Sequence, residues 1–467
     1  MAESNSQEVE VTPVEEVYAK RKKIYPRQVT GIFASLRFTG VMVLLGLYYF
    51  GPFLQWDGRQ AILFDLPARK FYIFDWIFWP QDFIYLAALL IIAAIALFLV
   101  TALAGRVWCG YACPQTVWTE AFLWIERKVE GTRAKQMKLD KAGWDWTKFR
   151  LKITKHFLWL AFSLFTGFVF VGWFTPILEL SARTWSFDLG AWEAFWIFFY
   201  GFATYGNAGW MREQVCMYMC PYARFQSAMF DKNTLVISYD EERGEPRGSR
   251  KKGTDFKADG KGACVDCSLC VQVCPTGIDI RDGLQYQCIG CAACVDVCND
   301  VMDKMGYDRN LVSYTTENAL HGKKESFFRP RVTIYIVLLA VITTALLTSI
   351  AQRVPLGLDI IRDRNSLYRE TDEGMIENVY TLKVMNMDLD SHRYSLAVGG
   401  IEGLRIARAN KAIMVDSGAV LHYPIRIQVD PEKLKTASTE LIFYLNAIDD
   451  DSLSVEEDGR FLGPVYK

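Results

Sequence analysis

Five stretches of the chain are long, apolar and free of formal charge: residues 38–56, 83–105, 157–178, 194–211 and 332–352. A helix needs roughly 20 such residues to cross about 30 Å of hydrocarbon, so the pattern predicts five transmembrane helices. The fourth is the shortest and carries Asn207. Beyond residue 352 the period changes to two. Residues 380–385 (Tyr-Thr-Leu-Lys-Val-Met) and 425–429 (Ile-Arg-Ile-Gln-Val) alternate apolar and polar, 441–445 is β-rich, and Gly399-Gly400 and Asp430-Pro431 supply turns. That rhythm predicts an all-β, immunoglobulin-like antiparallel sandwich. The first 19 residues are acidic, lack an apolar pattern and read as a mobile tail. A cleaved signal peptide is disfavoured, because the first apolar segment begins only at residue 38, behind an acidic and then a basic stretch.

Orientation follows from Lys and Arg. Lys20, Arg21, Lys22, Lys23, Arg27 and Arg37 precede the first helix, and ten more, from Arg127 to Lys155, lie between the second and third. Positive loops stay in the cytoplasm, so both regions are expected inside. With an odd number of crossings, residues 212–331 are then cytoplasmic and the segment after 352 is periplasmic. The boundaries are 1–37 for a cytoplasmic tail, 38–231 for a four-helix membrane domain, 232–331 for a cytoplasmic domain with charged tethers, 332–352 for the fifth helix and 353–467 for the outer sandwich. Composition agrees with a membrane chain: of 467 residues, 51% are hydrophobic and 14% aromatic. The net charge of −1, with no strongly basic domain, argues against a nucleic-acid partner. Arg250-Lys251-Lys252 reads as a solvated run, with anionic lipid or an acidic electron donor as the other reading.

Twelve cysteines fall in four clusters, and none lies in an apolar stretch or in the outer segment. The densest run is Cys264-x-x-Cys267-x-x-Cys270-x-x-x-Cys274-Pro275, then Cys288-x-x-Cys291-x-x-Cys294-x-x-x-Cys298. In the bacterial two-cluster ferredoxin pattern three close thiolates grip one [4Fe-4S] cube and the fourth crosses to the other. One cluster would then use Cys264, Cys267, Cys270 and Cys298, and the other Cys288, Cys291, Cys294 and Cys274, within an inserted α+β ferredoxin-like domain. Structural zinc fits eight such closely spaced cysteines poorly, and a cytoplasmic location disfavours disulfides. Asn299 stands where the duplicated pattern normally has proline, which puts the local turn in question.

The remaining four cysteines form Cys109-x-x-x-Cys113-Pro114 and Cys216-x-x-x-Cys220-Pro221, each following a predicted membrane helix. Arg106-Val-Trp-Cys-Gly-Tyr-Ala-Cys-Pro resembles Glu213-Gln-Val-Cys-Met-Tyr-Met-Cys-Pro, as if two helix hairpins were copies of one. Packed copies would bring four thiols together. The spacing allows two geometries: both sulfurs on one helical face, or Cys113 and Cys220 as caps before proline-initiated helices. In the second, Val117, Trp118, Ala121, Phe122 and Ile125 make one apolar stripe, as an interfacial helix should. Met211, Met217 and Met219 flank Cys216, and thioether with thiolate is the soft set that selects Cu(I); gap-filling is methionine's blander role. None of the four histidines, His156, His321, His392 and His422, falls in a predicted membrane helix. Intramembrane haem ligation is therefore not expected. No Gly-x-Gly-x-x-Gly or P-loop accompanies an apolar strand, so no built-in nucleotide is expected.

Two Cys-x-x-x-Cys-Pro sequences after membrane helices, the double ferredoxin insert, one further helix and a terminal β-domain together resemble the FixG/RdxA/CcoG family of cytochrome c oxidase accessory proteins, over essentially the whole chain. The ferredoxin insert alone is shared with membrane subunits of nitrate and nitrous oxide reduction systems. The resemblance implies a multi-pass protein of the bacterial inner membrane that acts as a cupric reductase, converting Cu(II) to Cu(I) for assembly of a cbb-type oxidase. Its partners would be the lipid bilayer, a cytoplasmic electron donor and copper-delivery or oxidase-assembly proteins, with homodimer formation left open. Carried onto this sequence, Cys109, Cys113, Cys216 and Cys220, with Met217 and Met219, would form the copper or redox site. Other readings are an electron-transfer subunit between a quinol pool and a partner complex, and a non-enzymatic copper chaperone or redox sensor.

Overall fold

A computed structural model describes residues 23–255, 260–407 and 412–464. The acidic first 19 residues, with Lys20, Arg21 and Lys22, lie outside the described residues. The helices in chain order are α1 (Ile32–Phe50), α2 (Phe83–Ala104), α3 (Val107–Tyr111), α4 (Pro114–Glu130), α5 (Arg133–Lys141), α6 (Trp146–Gly172), α7 (Ile177–Trp185), α8 (Ala191–Thr204), α9 (Tyr222–Met229), α10 (Glu241–Gly244), α11 (Leu269–Val273), α12 (Ala293–Met305), α13 (Glu317–Leu320) and α14 (Pro330–Ala351). Four helical segments, Ile32–Phe53, Pro80–Ala104, Trp146–Gly172 and Pro330–Ala351, are long and apolar enough to cross a membrane among the described residues.

The fourth expected crossing, at 194–211, is not one of these segments. There α8 ends after 14 residues, and the backbone widens into a π-helical segment, Tyr205–Met211. The wider turn brings Gly209 so close to Phe122 and Trp159 that a Cβ would sit 3.1 and 3.3 Å from their rings. The third expected span also moves. α6 begins at Trp146 and stops at Gly172, ahead of Pro176, which caps α7. His156, expected outside the membrane helices, therefore lies within α6, where Nδ1 is 2.8 Å from the Tyr205 hydroxyl.

The chain divides into two compact units. One comprises residues up to 45, 98–166 and 198–332 and contains every cysteine. At its centre Phe122, Trp159 and Ala208 pack with Trp118, Ile125 and Tyr205. The α4 stripe is thus covered by protein, not laid on a lipid interface. Around it runs a buried ionic network. Glu126 pairs with Arg212 at 2.7 Å and Lys155 at 3.4 Å, and Glu130 with Lys152 and Lys155 at 2.9 Å each. Burial alone would raise the Glu126 pKa, yet Arg212, Lys155 and Lys23 hold it below the ordinary carboxylate value.

Two strands, Val236–Tyr239 and Val312–Thr315, pair antiparallel around the cysteine-rich segment. The flanks that read as tethers thus carry ordered structure. Arg250, expected to be solvated, donates to the Cys264 carbonyl at 2.6 Å and lies over the Tyr307 ring, while Lys251 and Lys252 are exposed.

The second unit, 46–97, 167–197 and from 333 onward, contains a two-stranded ribbon, Gln55–Trp56 with Arg59–Gln60, a three-stranded sheet, Ile62–Asp65, Lys70–Ile73 and Trp76–Phe78, and the terminal β-domain. In that domain a sheet with path Arg405–Ala407, Val420–Val429, Ile376–Asn386, Leu356–Arg362 faces one with order Ile413–Val415, His392–Gly399, Ser438–Ala447, Ser454–Leu462. Leu382, Val384, Ile427, Leu441, Phe443 and Leu445, none more than 1% exposed, fill the space between them. The period-two segments read from sequence are these strands, one residue in two turned inward.

Candidate metal centre

The two halves of the ferredoxin run fold alike. In each, the residues on either side of the second cysteine have left-handed backbone: Asp266 (φ 51°) and Ser268 (φ 53°) around Cys267, Gly290 (φ 68°) and Ala292 (φ 56°) around Cys291. Alternating handedness turns successive N–H groups to one side, the concave nest that receives anionic sulfur centres. After the third cysteine the copies part. α11 stops after five residues, with Cys274 as its C-cap and Pro275 behind. Asn299 instead keeps the N–H that proline lacks, and α12 continues to 13 residues. Its side-chain oxygen accepts the Asn310 N–H at 2.8 Å. The substitution in question therefore extends the helix and leaves Cys298 on its inner face.

The loops enclose two adjoining cavities. One, about 390 Å³ of empty space, is lined by Cys264, Cys267, Cys270 and Cys298. The other, about 330 Å³, is lined by Cys274, Cys288, Cys291 and Cys294, with Cys270 on the shared side. Tyr239, Met302, Leu311 and Val312 close the first, and Ile237, Ile278, Ile280 and Ile289 the second. Backbone N–H groups of Val271, Gly290, Ala293 and Val312 point at the sulfurs of Cys270, Cys288, Cys291 and Cys298. Burial pushes the Cys288 and Cys298 thiols up to about 12 and Cys270 to about 11. As thiolates these sulfurs require positive charge inside the cavity, which ligated iron supplies. Four soft donors, inward N–H groups and apolar walls fit a [4Fe-4S] group in each.

The unit is docked, not loosely hung. Asp296 on α12 accepts the N–H groups of Phe33 and Ala34, at 3.3 and 2.7 Å, capping the first turn of α1. Gly31 leaves the room, since a Cβ there would lie 2.3 Å from that carboxylate. Gly110, in α3, lies against Gly290 and Cys291 so closely that a Cβ would come within 2.8 Å of the Gly290 oxygen.

Both Cys-x-x-x-Cys-Pro sequences belong to this same unit. Cys109 lies in α3, and Cys113 caps α4 with Pro114 in the first turn. The N–H groups of Gln115 and Thr116 are turned toward the Cys113 sulfur, short of a capping hydrogen bond. Of the two geometries open from sequence, the cap is the one adopted at Cys113. The second copy differs: Cys216 lies in a π-helical segment, Val215–Met219, and Cys220 ends it, with Pro221 itself the cap of α9. The segments are stitched together. Gln115 donates to the carbonyls of Asn207 and Arg212, at 2.9 and 3.1 Å, and the Cys109 sulfur lies 3.3 Å from Oε1 of the fully buried Gln226. Cys109 is in electrostatic reach of Cys113, Cys216 and Cys220, and Cys216 of Cys113 and Cys220. Burial pushes Cys109 and Cys216 up to about 12. Met217 is half-buried, as the four cysteines are, and Met219 is 58% exposed. Among the described residues no three His, Cys, Asp or Glu side chains could hold a single metal ion.

Sequence reasoning passed over Arg106, Gln226 and Asp296. Arg106 is 7% exposed and lies between the two regions. It donates to the Tyr286 and Cys288 carbonyls on one side, and to the Ala223 carbonyl and Ser227 Oγ on the other. The only available signal was a charge three residues before each first cysteine, Arg106 and Glu213.

These elements define an iron–sulfur protein: a dicluster ferredoxin unit joined to helices fit for a membrane and to a β-sandwich. Three family models match it: "4Fe-4S dicluster domain" over residues 211–317, "4Fe-4S binding domain" over 86–131, and "IG-like fold at C-terminal of FixG" over 346–464. The nitrogen fixation protein FixG of Rhizobium meliloti (strain 1021) is 37% identical over 481 residues, covering 93% of this chain and 91% of FixG. Protein RdxA of Cereibacter sphaeroides is 40% identical over 407 residues, 84% of this chain and 85% of RdxA. A solved FixG-related protein from Vibrio parahaemolyticus is 34% identical, covering 24% of this chain and 98% of its own, with a TM-score of 0.22. The chain belongs to the FixG/RdxA family, as a membrane-associated 4Fe-4S protein.

Proposed function

We propose that this protein transfers single electrons from a cytoplasmic donor to a metal ion at the membrane, reducing Cu(II) to Cu(I) for assembly of a cbb-type oxidase. The observation that carries the electron-transfer reading is the pair of adjoining four-cysteine cavities. Cys264, Cys267, Cys270 and Cys298 would hold one [4Fe-4S] group, and Cys274, Cys288, Cys291 and Cys294 the other. When bound, such groups supply one-electron transfer at potentials tuned by hydrogen bonds and burial. The inward N–H groups stabilise sulfur charge, the isoleucine and leucine walls exclude water, and the half-open side at exposed Cys267 is where a donor could approach.

Cys109, Cys113, Cys216 and Cys220 adjoin the second cavity through Gly110 and Arg106 and are the site at which the acceptor is reached. Copper as that acceptor rests on the family resemblance. This reading keeps five crossings, with α8 and its π-helical continuation, residues 191–211, as the fourth, so that the positive loops would put this unit on the cytoplasmic side of a bacterial inner membrane and the sandwich in the periplasm. The test is to reduce the purified protein anaerobically, add Cu(II) with a Cu(I)-specific chelator, and compare wild type with Cys109→Ala/Cys216→Ala. Loss of Cu(I) formation is expected, and equal rates would remove these cysteines from the reaction.

A further inference from the structure

The geometry points to a third iron–sulfur site, in which Cys109, Cys113, Cys216 and Cys220 together hold one cluster and Arg106 is the cation shared between it and the Cys288 cavity. The inference rests on the iron–sulfur reading above and adds a centre to it. The segment matched as a 4Fe-4S binding domain, 86–131, contains only Cys109 and Cys113. A [4Fe-4S] cluster takes four thiolates, so two must come from elsewhere in the fold. Eight of the twelve cysteines line the ferredoxin cavities, and the two that remain, Cys216 and Cys220, are the ones brought to Cys109 and Cys113.

Two further features resemble the ferredoxin loops. The Gln115 and Thr116 N–H groups turned toward Cys113 repeat the way N–H groups point at the ferredoxin sulfurs. At Cys109, rotation of the Gln226 amide would turn Nε2 toward the sulfur, supplying a donor for a thiolate.

Arg106 is the independent observation. It is more than nine-tenths buried, its recorded acceptors are carbonyls and one hydroxyl, and its Nε has no partner. A buried guanidinium with no carboxylate is costly. The acidic groups that act on it most strongly are thiols: Cys109, Cys216 and Cys220 on one side and Cys288 on the other. Anionic sulfur centres on both sides would supply the missing counter-charge.

The test is iron and acid-labile sulfide per chain, with Mössbauer spectra, on anaerobically reconstituted full-length protein. Wild type should hold about twelve irons. The variant Cys109→Ala/Cys113→Ala/Cys216→Ala/Cys220→Ala should hold about eight, a 1.5-fold loss, with both ferredoxin signals kept. About eight irons in wild type, unchanged in that variant, would overturn the site. Should the fourfold variant fail to accumulate, the wild-type count and Cys113→Ser decide. Cys294→Ala separates the two readings: if it loses about four irons while the fourfold variant loses none, only the third site fails. Arg106→Gln should lower the reduction potential of the Cys288-side centre, with Arg106→Lys restoring most of it; an unchanged potential would remove Arg106 from the site.

Discussion

The eight ferredoxin cysteines lie between residues 264 and 298, on loops that fold over their own cavities, whereas the other four stand at the ends of helices on two segments far apart in the chain. In the first region backbone geometry does the work: left-handed residues flank Cys267 and Cys291, and the cavity walls come largely from the same stretch. In the second, side chains from distant segments, Gln115, Gln226 and Arg106, hold the sulfurs in place. A local loop can close around its cluster early in folding. A site shared by distant helix ends exists only once those helices have packed, so its integrity should follow the packing of α4.

The largest expected effect tests the crossing of ligands inside the local region. Cys274 follows the first three cysteines in sequence but lines the second cavity with Cys288, Cys291 and Cys294. Cys274→Ser should therefore abolish the EPR signal of the second cluster, about four irons, and leave the first. Loss of the first signal instead would reverse the assignment.

Next in size is the footing of the distant region. Glu126 is the buried partner of Arg212 and Lys155, on the helix that Cys113 caps. Glu126→Ala leaves buried Arg212 without its carboxylate, while Lys155 keeps Glu130, and should cost about 3 kcal/mol, read by thermal unfolding in detergent. A loss below about 1 kcal/mol would show that the network does not brace this site.

Gly110→Ala probes the seam between the regions. Its Cβ would meet the Gly290 oxygen at 2.8 Å and the Cys291 Cα at 2.9 Å, both backbone, so relief requires the two segments to part. About 1–3 kcal/mol of stability should be lost, with slower oxidation of the prereduced protein by Cu(II). Wild-type behaviour in both assays would show the contact to be slack.

The smallest effect is on pH. Burial would raise the pKa values of Glu126 and Asp140, but Arg212, Lys155 and Lys23 around the first, and Lys152, Lys23 and Tyr25 around the second, hold both below their ordinary values. A carboxylate with a lowered folded-state pKa stabilises the fold above its unfolded value, and that contribution is lost as pH falls. Stability of this unit should therefore hold above about pH 4.5 and decline below it. Glu126→Gln should flatten the decline, and an unchanged acid limb would place the sensitivity elsewhere.

How much of this was readable in advance follows the same division. The ferredoxin run, the period-two strands and four of the membrane helices were legible because each is set by neighbours in sequence: cysteine spacing, alternation, unbroken apolar length. The fourth stretch did not reveal its interruption, because the π-helical turn that Gly206 and Gly209 permit gains contact with Phe122 and Trp159, distant in sequence. The start of α6 was hidden because Lys148, Lys152 and Lys155 read as part of a positive loop, while the fold places them against Asp140, Glu126, Glu130 and backbone carbonyls. The weak repeat pointed to convergence of the four cysteines outside the ferredoxin run, but nothing local could reveal Arg106, whose acceptors lie more than one hundred residues away.

The most direct test of the central claim is low-temperature EPR of the anaerobically reduced, purified protein, with metal analysis of the same sample. Bound as described, the two neighbouring ferredoxin clusters should give interacting S = 1/2 signals together with iron and equal sulfide. A diamagnetic sample containing zinc would contradict the account.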